Sequence, residues 1–279
     1  MLSVIIPAHN EENYLGACLA MLLASHALDA QGNVPVEIIV AANACTDRTV
    51  EIAHSYEPAA RLRGWRLKVL DLERGGKTHA INAAEARASG TIRAYLDADI
   101  LVGPALLKLT WEALHGPAPR YASGRFEIAP ATSFATRAYR RIYKRVPFQT
   151  KTIPGGGYYS VSAAGRKRWG AFPDLLADDL FVRLNFAPGE RIRLDEGYRV
   201  ELTEGFVPLV RVRRRQDRGT RQLLACHPEL ARNEDKPGFD PGELRRLIAR
   251  FPASMVVYCL VGALARIPAA RGGWARGRD

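Results

Sequence analysis

The sequence predicts an α/β protein: a Rossmann-like, doubly wound, mostly parallel sheet, with a smaller second subregion and a helical C-terminus. Three observations predict it. Strand-like runs alternate with amphipathic helical patterns from Leu2 to Val102. Two of those runs, residues 2–7 and 36–42, are continuously apolar, as in strands buried on both faces. A later run, residues 91–102, carries two aspartates where a central strand would end, the edge at which open α/β sheets bind ligands.

The 279 residues are enough for a sizeable core, and 47% hydrophobic content marks a globular chain. Lys plus Arg total 40 against 29 Asp plus Glu, a net charge of +11. That excess suits an anionic partner: nucleotide phosphates, nucleic acid or an acidic membrane surface. Cys18, Cys45, Cys226 and Cys259 are scattered without a C-x-x-C pair and read as reduced thiols of a cytoplasmic protein. No basic segment precedes an apolar run at the start, so no secretory leader is expected.

Residues 2–7 (LSVIIP) form the first strand, which Pro7 stops. After AHNEE, the residues Leu15, Cys18, Leu19, Leu22 and Leu23 recur at helical spacing. Asn10 is placed to cap that helix, with Glu11 and Glu12 in a first turn whose dipole favours acid. No G-x-G-x-x-G follows the strand, which removes the dinucleotide fingerprint. Residues 31–35 make a polar turn and residues 36–42 (VEIIVAA) a second buried strand. Thr46 or Asp47 then caps a short helix through Ile52 and Ala53, and residues 66–72 alternate as a third strand. Arg74-Gly75-Gly76-Lys77 precedes a helix with Ala80, Ile81, Ala84 and Ala88 on one face.

Gly90 turns the chain into TIRAYLDADILV, where Ile92, Ala94 and Leu96 alternate with Arg93 and Tyr95 before Asp97 and Asp99. Side chains at i and i+2 of a strand point the same way, and a bend at its end lets both carboxylates converge. Two hard oxygen donors there suit a divalent cation that carries phosphates. The plainer reading is that they cap the helix starting near Pro104.

Residues 105–114 are helical and residues 120–129 return to the sheet. Residues 134–146 form a basic, aromatic helix with Arg137, Arg140, Arg141, Lys144 and Arg145, read as a solvated face. Gly155-Gly156-Gly157, before Tyr158 and Tyr159, permits a close backbone approach, a mobile loop or an ordinary turn. Asp178 and Asp179 open a helix within residues 174–185. Acid is routine in a first turn, and an adjacent pair also suits a general base and its positioner. Residues 191–202 look like a strand pair. Residues 211–221 concentrate arginine, which calls for an anion: pyrophosphate or an acidic surface. Residues 233–242 read as a mobile linker. The apolar run 255–265 is shorter than the roughly 20 residues that span a bilayer. It is a core helix or an interfacial one, with Arg245, Arg246, Arg250, Arg266 and Arg271 meeting anionic lipid.

PAHNEE after the first strand, NACTDRT from Asn43, GGKTHAIN from Gly75 and LDAD ending in Asp99 follow one another in order. In this combination the chain resembles the GT-A fold glycosyltransferases, specifically the inverting family 2 group, most firmly from Leu2 to Val102. The resemblance implies a metal-dependent, single transfer of sugar from a nucleotide-diphosphate sugar to an acceptor hydroxyl, with Mg2+ or Mn2+ as cofactor. It implies one domain over residues 1–232, with a nucleotide-sugar half (1–124) and an acceptor half (125–232), followed by a linker and basic, apolar helical segment (233–279). Pro7, Ala8 and Glu12 would line the nucleotide pocket. Asn43 stands where many relatives have an aspartate that contacts base or ribose. Asp47 would hold its loop together, Lys77 would approach the phosphates and Asn82 would support that loop. Asp97 would sit near ribose and metal, and Asp99 would bind the metal. Asp178-Asp179 resembles the family's Glu-Asp pair, with Asp179 as base and Asp178 as its neighbour. The Gln-x-x-Arg-Trp motif is absent; Arg214, Arg215 and Arg218 occupy the comparable region and would face the diphosphate, which favours single transfer over a processive polymerase.

A retaining GT-A enzyme and a nucleotidyltransferase share the sheet, although the acidic AHNEE segment ill suits a triphosphate. A basic module binding nucleic acid or membrane would leave both acidic pairs unexplained, and no nucleic-acid partner is expected. The acceptor is unknown from sequence. The basic, apolar C-terminus favours a lipid-linked one, with the protein peripheral on the inner face of the cell membrane. His227 is a third metal ligand or, more plainly, a structural residue.

Overall fold

The computed structural model describes residues 1–26, 28–29 and 32–267. Gln31 of the expected polar turn and Arg271 of the expected lipid-facing set lie outside the described residues. Strand and helix alternate through β1 (Leu2–Ala8), α1 (Leu15–Ala24), the short hairpin β2 (Leu28–Asp29) and β3 (Gly32–Asn33), β4 (Val36–Asn43), α2 (Thr49–Ser55), α3 (Glu57–Leu62), β5 (Arg66–Leu72), α4 (Lys77–Glu85) and β6 (Ile92–Leu96). There follow β7 (Leu101–Val102), α5 (Leu106–Leu114), β8 (Tyr121–Ile128), α6 (Phe134–Tyr143), α7 (Pro147–Lys151), β9 (Tyr158–Val161), α8 (Ala163–Arg166), α9 (Asp178–Leu184), β10 (Arg191–Val200), α10 (Phe206–Cys226), α11 (Pro241–Arg250) and α12 (Pro252–Arg266).

One eight-stranded sheet runs through both halves in the order β5-β4-β1-β6-β9-β8-β10-β7. Its first four strands are parallel; β9 then pairs antiparallel with both β6 and β8. The chain winds outward from β1 through β4 to β5, then returns across β1 to lay down β6 on the other side. That reversal opens a crevice at the C-terminal ends of β1, β4 and β6. Every residue of β1 and β4 is buried. Alternate residues of β1 feed opposite faces: Val4 and Ile6 pack with Leu15, Leu19 and Leu22, while Ile5 packs with Ile39, Ile81 and Tyr95. A third, smaller cluster joins α6, α10 and α12 through Tyr139, Leu209, Val210 and Val261.

Several expectations change. Asn10 does not cap α1: the helix begins at Leu15 without a side-chain cap or acid in its first turn. Asn10 sits instead at φ +54°, a left-handed conformation that asparagine tolerates, and bonds across to Thr46. Residues 191–202 are not a strand pair but mostly one strand, β10, with an irregularity between Arg193 and Gly197. Asp97 and Asp99 do not cap α5, because Glu196 accepts the Ala105 N–H at 3.1 Å. The stretch expected to be a free linker is anchored at its start. Arg183 and Arg191, both buried, take Asp235 as a shared carboxylate, and Arg183 also bonds Glu234 at 3.0 Å. Buried guanidiniums need such partners, so the sequence after α10 is pulled back onto α9.

At the opposite end of the sheet from the crevice, Glu37 is fully buried between β1 and β5. It accepts from Ser3 Oγ at 2.6 Å, from the Ser89 and Gly90 N–H groups and from Ser89 Oγ. Burial opposes its ionisation, but these hydrogen bonds outweigh it and hold the carboxyl down at about 2, against 4.5. The depressed value means stability that is complete above about pH 5 and lost as pH falls towards 2. Glu37→Gln is therefore expected to lose up to about 3 kcal/mol at pH 7 and much less near pH 3. Urea unfolding at the two pH values measures the difference.

Candidate active site

Two loops at the crevice are laced together before any reactive group is positioned. Asn10 and Thr46 exchange hydrogen bonds at 2.7 and 3.1 Å. Asp47 accepts the Glu12 N–H and the Thr49 N–H and hydroxyl, while the Glu12 carboxylate accepts the Arg48 N–H. Asp47 thus holds its loop together, and Glu12 is turned towards that same loop. Asn43, buried at the end of β4, donates to Ala8 O at 2.7 Å and accepts the Gly76 N–H at 2.9 Å. Its amide ties the end of β1 to the turn that launches α4. Pro7 and Ala8 are buried at the end of β1, with Ala8 O taken by the Asn43 amide.

That turn needs Gly76, whose φ of +130° suits a residue without Cβ. Lys77 follows as the first residue of α4. Its ammonium lies 2.8 Å from Asp97 Oδ1, at the end of β6, and 3.0 Å from Asp178 Oδ1, at the start of α9. Further along α4, Asn82 bonds both ways with the Phe172 backbone at 2.7 and 2.9 Å, and Thr78 reaches Asp174. So α4 braces the segment that delivers the second acidic pair.

Asp178 is buried, and Tyr159 donates its hydroxyl to Oδ2 at 2.9 Å. With Lys77 on Oδ1, both oxygens are occupied. Asp179, half-buried, accepts the Leu180 N–H at 2.8 Å. Gly156 faces this group: a Cβ there would lie 3.8 Å from Asp179 Oδ2. Its neighbour Gly155 has no room for a side chain, since a Cβ would fall 1.7 Å from the Tyr121 hydroxyl. The glycine triplet is thus a wall of the site, built from backbone so that little stands before Asp179.

The electrostatics follow from crowding. Burial pushes the Asp97 carboxyl up; Lys77 opposes this, and Asp99 and Asp178 reinforce it. Burial, then repulsion by Asp178, raises Asp179 to about 6 from 3.8, with Lys77 pulling the other way. Burial alone would lower Lys77, but Asp178, Asp97 and Asp179 reverse the sign and raise it. The cleft therefore carries excess negative charge around one lysine. Among the described residues no group of three or more His, Cys, Asp or Glu forms a ready-made metal cage. Asp97 and Asp99 fit a different site, in which one or two carboxylates hold a Mg2+-type ion and phosphates supply further oxygens. His227 packs on Phe181 and pairs with Glu229 outside this group.

The arginines of α10 divide by helical phase. Gly219 lies against Leu176 and Ala177, the residues just before Asp178, and Gln222 bonds Asp174 O and the Leu176 N–H. Arg215, one turn before Gly219, shares that side, whereas Arg218 lies one turn after Arg214 and shares its face. Arg214 donates to Leu264 O on α12 at 2.9 Å, a correction to its expected grouping with Arg215. Sequence reading missed Tyr159 as the partner of Asp178, a bond that its local sequence does not signal.

Fold and acidic crevice together define a protein of the GT-A type, with one mixed sheet carrying its polar site at the edge of β1, β4 and β6. The model of the family described as "Glycosyl transferase family 2" matches residues 3–169, and the chain belongs to that family. It is 32% identical over 114 residues to an uncharacterized glycosyltransferase, EpsJ, of Bacillus subtilis (strain 168), covering 40% of this chain and 30% of the relative. It is 30% identical over 120 residues to validoxylamine A glucosyltransferase of Streptomyces hygroscopicus subsp. limoneus, covering 43% and 25%. The matches thus span under a third of these relatives' lengths. Among solved structures, the mannosyltransferase PcManGT of Pyrobaculum calidifontis, in complex with GDP-Man and Mn2+, aligns with a TM-score of 0.60 at 20% identity, covering 95% of this chain and 72% of that one. Glucosyl-3-phosphoglycerate synthase of Mycobacterium tuberculosis, with Mn2+, UDP and glucosyl-3-phosphoglycerate, aligns at 0.51 and 20%, covering 81% and 79%. At these identities the structures speak for the fold.

Two neighbouring substitutions should have opposite effects on stability. The raised Asp179 carboxyl binds its proton more tightly folded than unfolded, so ionisation between pH 3.8 and about 6 lowers stability, and the cost is complete at pH 7. Asp179→Asn is expected to raise stability at pH 7 by about 1 kcal/mol, allowing for the solvent that reaches it. Lys77→Met leaves Asp97 and Asp178 uncompensated and is expected to lose about 1–3 kcal/mol. Thermal midpoints at pH 7 and pH 4.5 check both, since both effects shrink as Asp179 and Asp97, raised by burial, take up protons.

Proposed function

We propose that the chain is a nucleotide-sugar-dependent glycosyltransferase that moves a sugar to an acceptor hydroxyl with inversion, in single transfers. The observation that carries this reading is Asp179: a carboxylate raised to about 6, unbridged by Lys77, beside an Asp97–Lys77–Asp178 array at the crevice. An acceptor hydroxyl has a high pKa, so a base must take its proton as oxygen attacks the sugar C1. Asp179 accepts that proton. The C1–oxygen bond to the diphosphate breaks on the opposite face, and the nucleoside diphosphate leaves with its negative charge. Asp178, held by Lys77 and Tyr159, fixes the start of α9 and keeps the base oriented. Lys77, with Arg215, offsets the charge on the leaving diphosphate.

Asp99 and Asp97 would hold a Mg2+ or Mn2+ ion. When bound, that ion supplies electrostatic stabilisation of the departing diphosphate. The Mn2+ complexes of PcManGT and of the phosphoglycerate synthase support this reading, and their GDP-Man and UDP ligands support a nucleotide-sugar donor. A retaining enzyme would not need a base in that position, so Asp179 favours inversion.

Thermal shifts with UDP-, GDP-, CDP- and dTDP-sugars, each with and without Mn2+, test the donor. One nucleotide family should raise the midpoint in a metal-dependent way, and Asp99→Ala should abolish the gain. No shift in a well-folded sample with any donor would remove the proposal. With the donor known, Asp179→Ala should lower kcat by about 10²–10⁴-fold. Donor turnover by the wild type should rise with pH through about 6, as the base ionises. Product anomeric configuration, read by NMR, must be opposite to that of the donor.

A further inference from the structure

The positive charge of α6 is not an ordinary solvated helix face. Phe134, Arg137, Arg141 and Lys144 follow one another at i, i+3, i+7 and i+10 and are all exposed; Phe134 is 67% exposed. A cleft of about 240 Å³ there is lined by Pro130, Ala131 and five cations: Arg137, Arg140, Arg141, Lys144 and Arg145. Their guanidiniums are held by neutral oxygens. Arg137 bonds Thr132 O, Arg140 bonds Ile128 O at 2.6 and 3.0 Å, Arg141 bonds Ser254 Oγ at 3.3 Å and Arg145 bonds Arg141 O at 2.5 Å. Among the described residues none of the five pairs with a carboxylate within 4.0 Å. Partial burial, then Arg145, Arg140 and Arg141, pushes Lys144 below its usual value. Cations crowded in this way call for an anion from outside.

Beside them lies apolar surface of the opposite kind. From Pro252 to Ala265, α12 contains no charged residue. Its inner side packs on α6 and α10 through Val261, Val257 and Tyr258. Its outer side leaves Val256, Leu260 and Leu264 exposed at 57%, 47% and 37%, with Cys259 also exposed. The two features join at Phe251, over whose ring the guanidiniums of Arg141, Arg145 and Arg250 lie at 5.4, 4.9 and 5.3 Å. On α11, Arg245, Arg246 and Ile248 are exposed as well. No single helix among the described residues is long and apolar enough to cross a membrane.

We propose that α6, α11 and α12 form a docking surface for an anionic phospholipid bilayer, with the α6 cleft taking lipid phosphates and the outer face of α12 entering the headgroup–acyl boundary. Charge complementarity selects the lipid. Among the described residues the cations of the α6 cleft pair with no acid, while Glu204 is held by the Thr132 and Ser133 N–H groups and Glu243 of α11 by Lys151. Such a basic collar beside a charge-free apolar helix matches phosphate above hydrocarbon, and a protein partner would have to supply that same layering. The surface involves α6 and α12 and none of Asp97, Asp178 or Asp179. It stands or falls independently of the transfer reaction.

Flotation of the full chain with vesicles tests it, without donor or metal. Vesicles of phosphatidylcholine with about one-third phosphatidylglycerol should carry the protein at low salt, and pure phosphatidylcholine vesicles should carry far less. Each surface cation contributes about fivefold, so Arg137→Gln/Lys144→Gln should weaken partitioning about thirtyfold. Val256→Ser/Leu260→Ser, at exposed positions, should weaken it separately and remain folded by circular dichroism. The proposal is overturned if the wild type stays lipid-free at low salt, if neutral vesicles bind equally, or if both variants float like the wild type. It is overturned too if vesicles are ignored while a single-stranded oligonucleotide binds through Arg137 and Lys144, which would assign the cations to nucleic acid.

Discussion

Lys77 bonds a carboxylate from each half of the protein, Asp97 at the end of β6 and Asp178 at the start of α9. Four carboxylates meet in this crevice, and the fold must bring them within a few ångströms against their mutual repulsion. The reversal of strand order at β1 provides the opening, and α4 places its first residue across it. A single cation does not neutralise the group. Burial, reinforced by that imbalance, raises the Asp179 carboxyl, and the excess of carboxylates suits the edge of β6 to a further cation.

Holding such a cluster open requires rigid surroundings, and these are mostly polar. Asn43, Asn10 and Asp47 lace the loops after β1 and β4, while Asn82 ties α4 to Phe172 ahead of α9. Near the end of α9, buried Arg183 is clamped by Glu234 and Asp235, which fixes that helix against the chain after α10. Gly155 and Gly157, at φ +73° and +90°, let the backbone approach where side chains would collide. The hydrophobic sheet sets the crevice, and hydrogen bonds set its contents.

Charge is distributed with the same division. The chain carries +11 overall, yet the crevice is acidic. The positive excess includes the outer face of α6, the length of α10 and exposed α11. Arg215 of α10 shares the side of the helix that packs on Leu176 and Ala177, just before Asp178, whereas Arg137, Arg141 and Lys144 of α6 are tied to no acid among the described residues.

The sequence by itself determined the parallel half of the sheet, the positions of the two acidic pairs and the lysine between glycines and helix. These follow from local causes: continuous apolar runs at β1 and β4, the alternation in β6, and turn residues such as Gly76 and Gly90. Tertiary structure alone decided which of those residues meet. Asn10 reads as a helix cap because the cap preference is local, but its partner Thr46 is far along the chain. Tyr159 carries no local sign of its bond to Asp178. The arginines of α10 look alike in a run, and only the neighbours of the helix, Leu264 on one side and Ala177 on another, separate Arg214 from Arg215. Hydrophobic periodicity is written within a few turns of chain, whereas pairing of polar groups depends on residues brought together from distant segments, which no local pattern records.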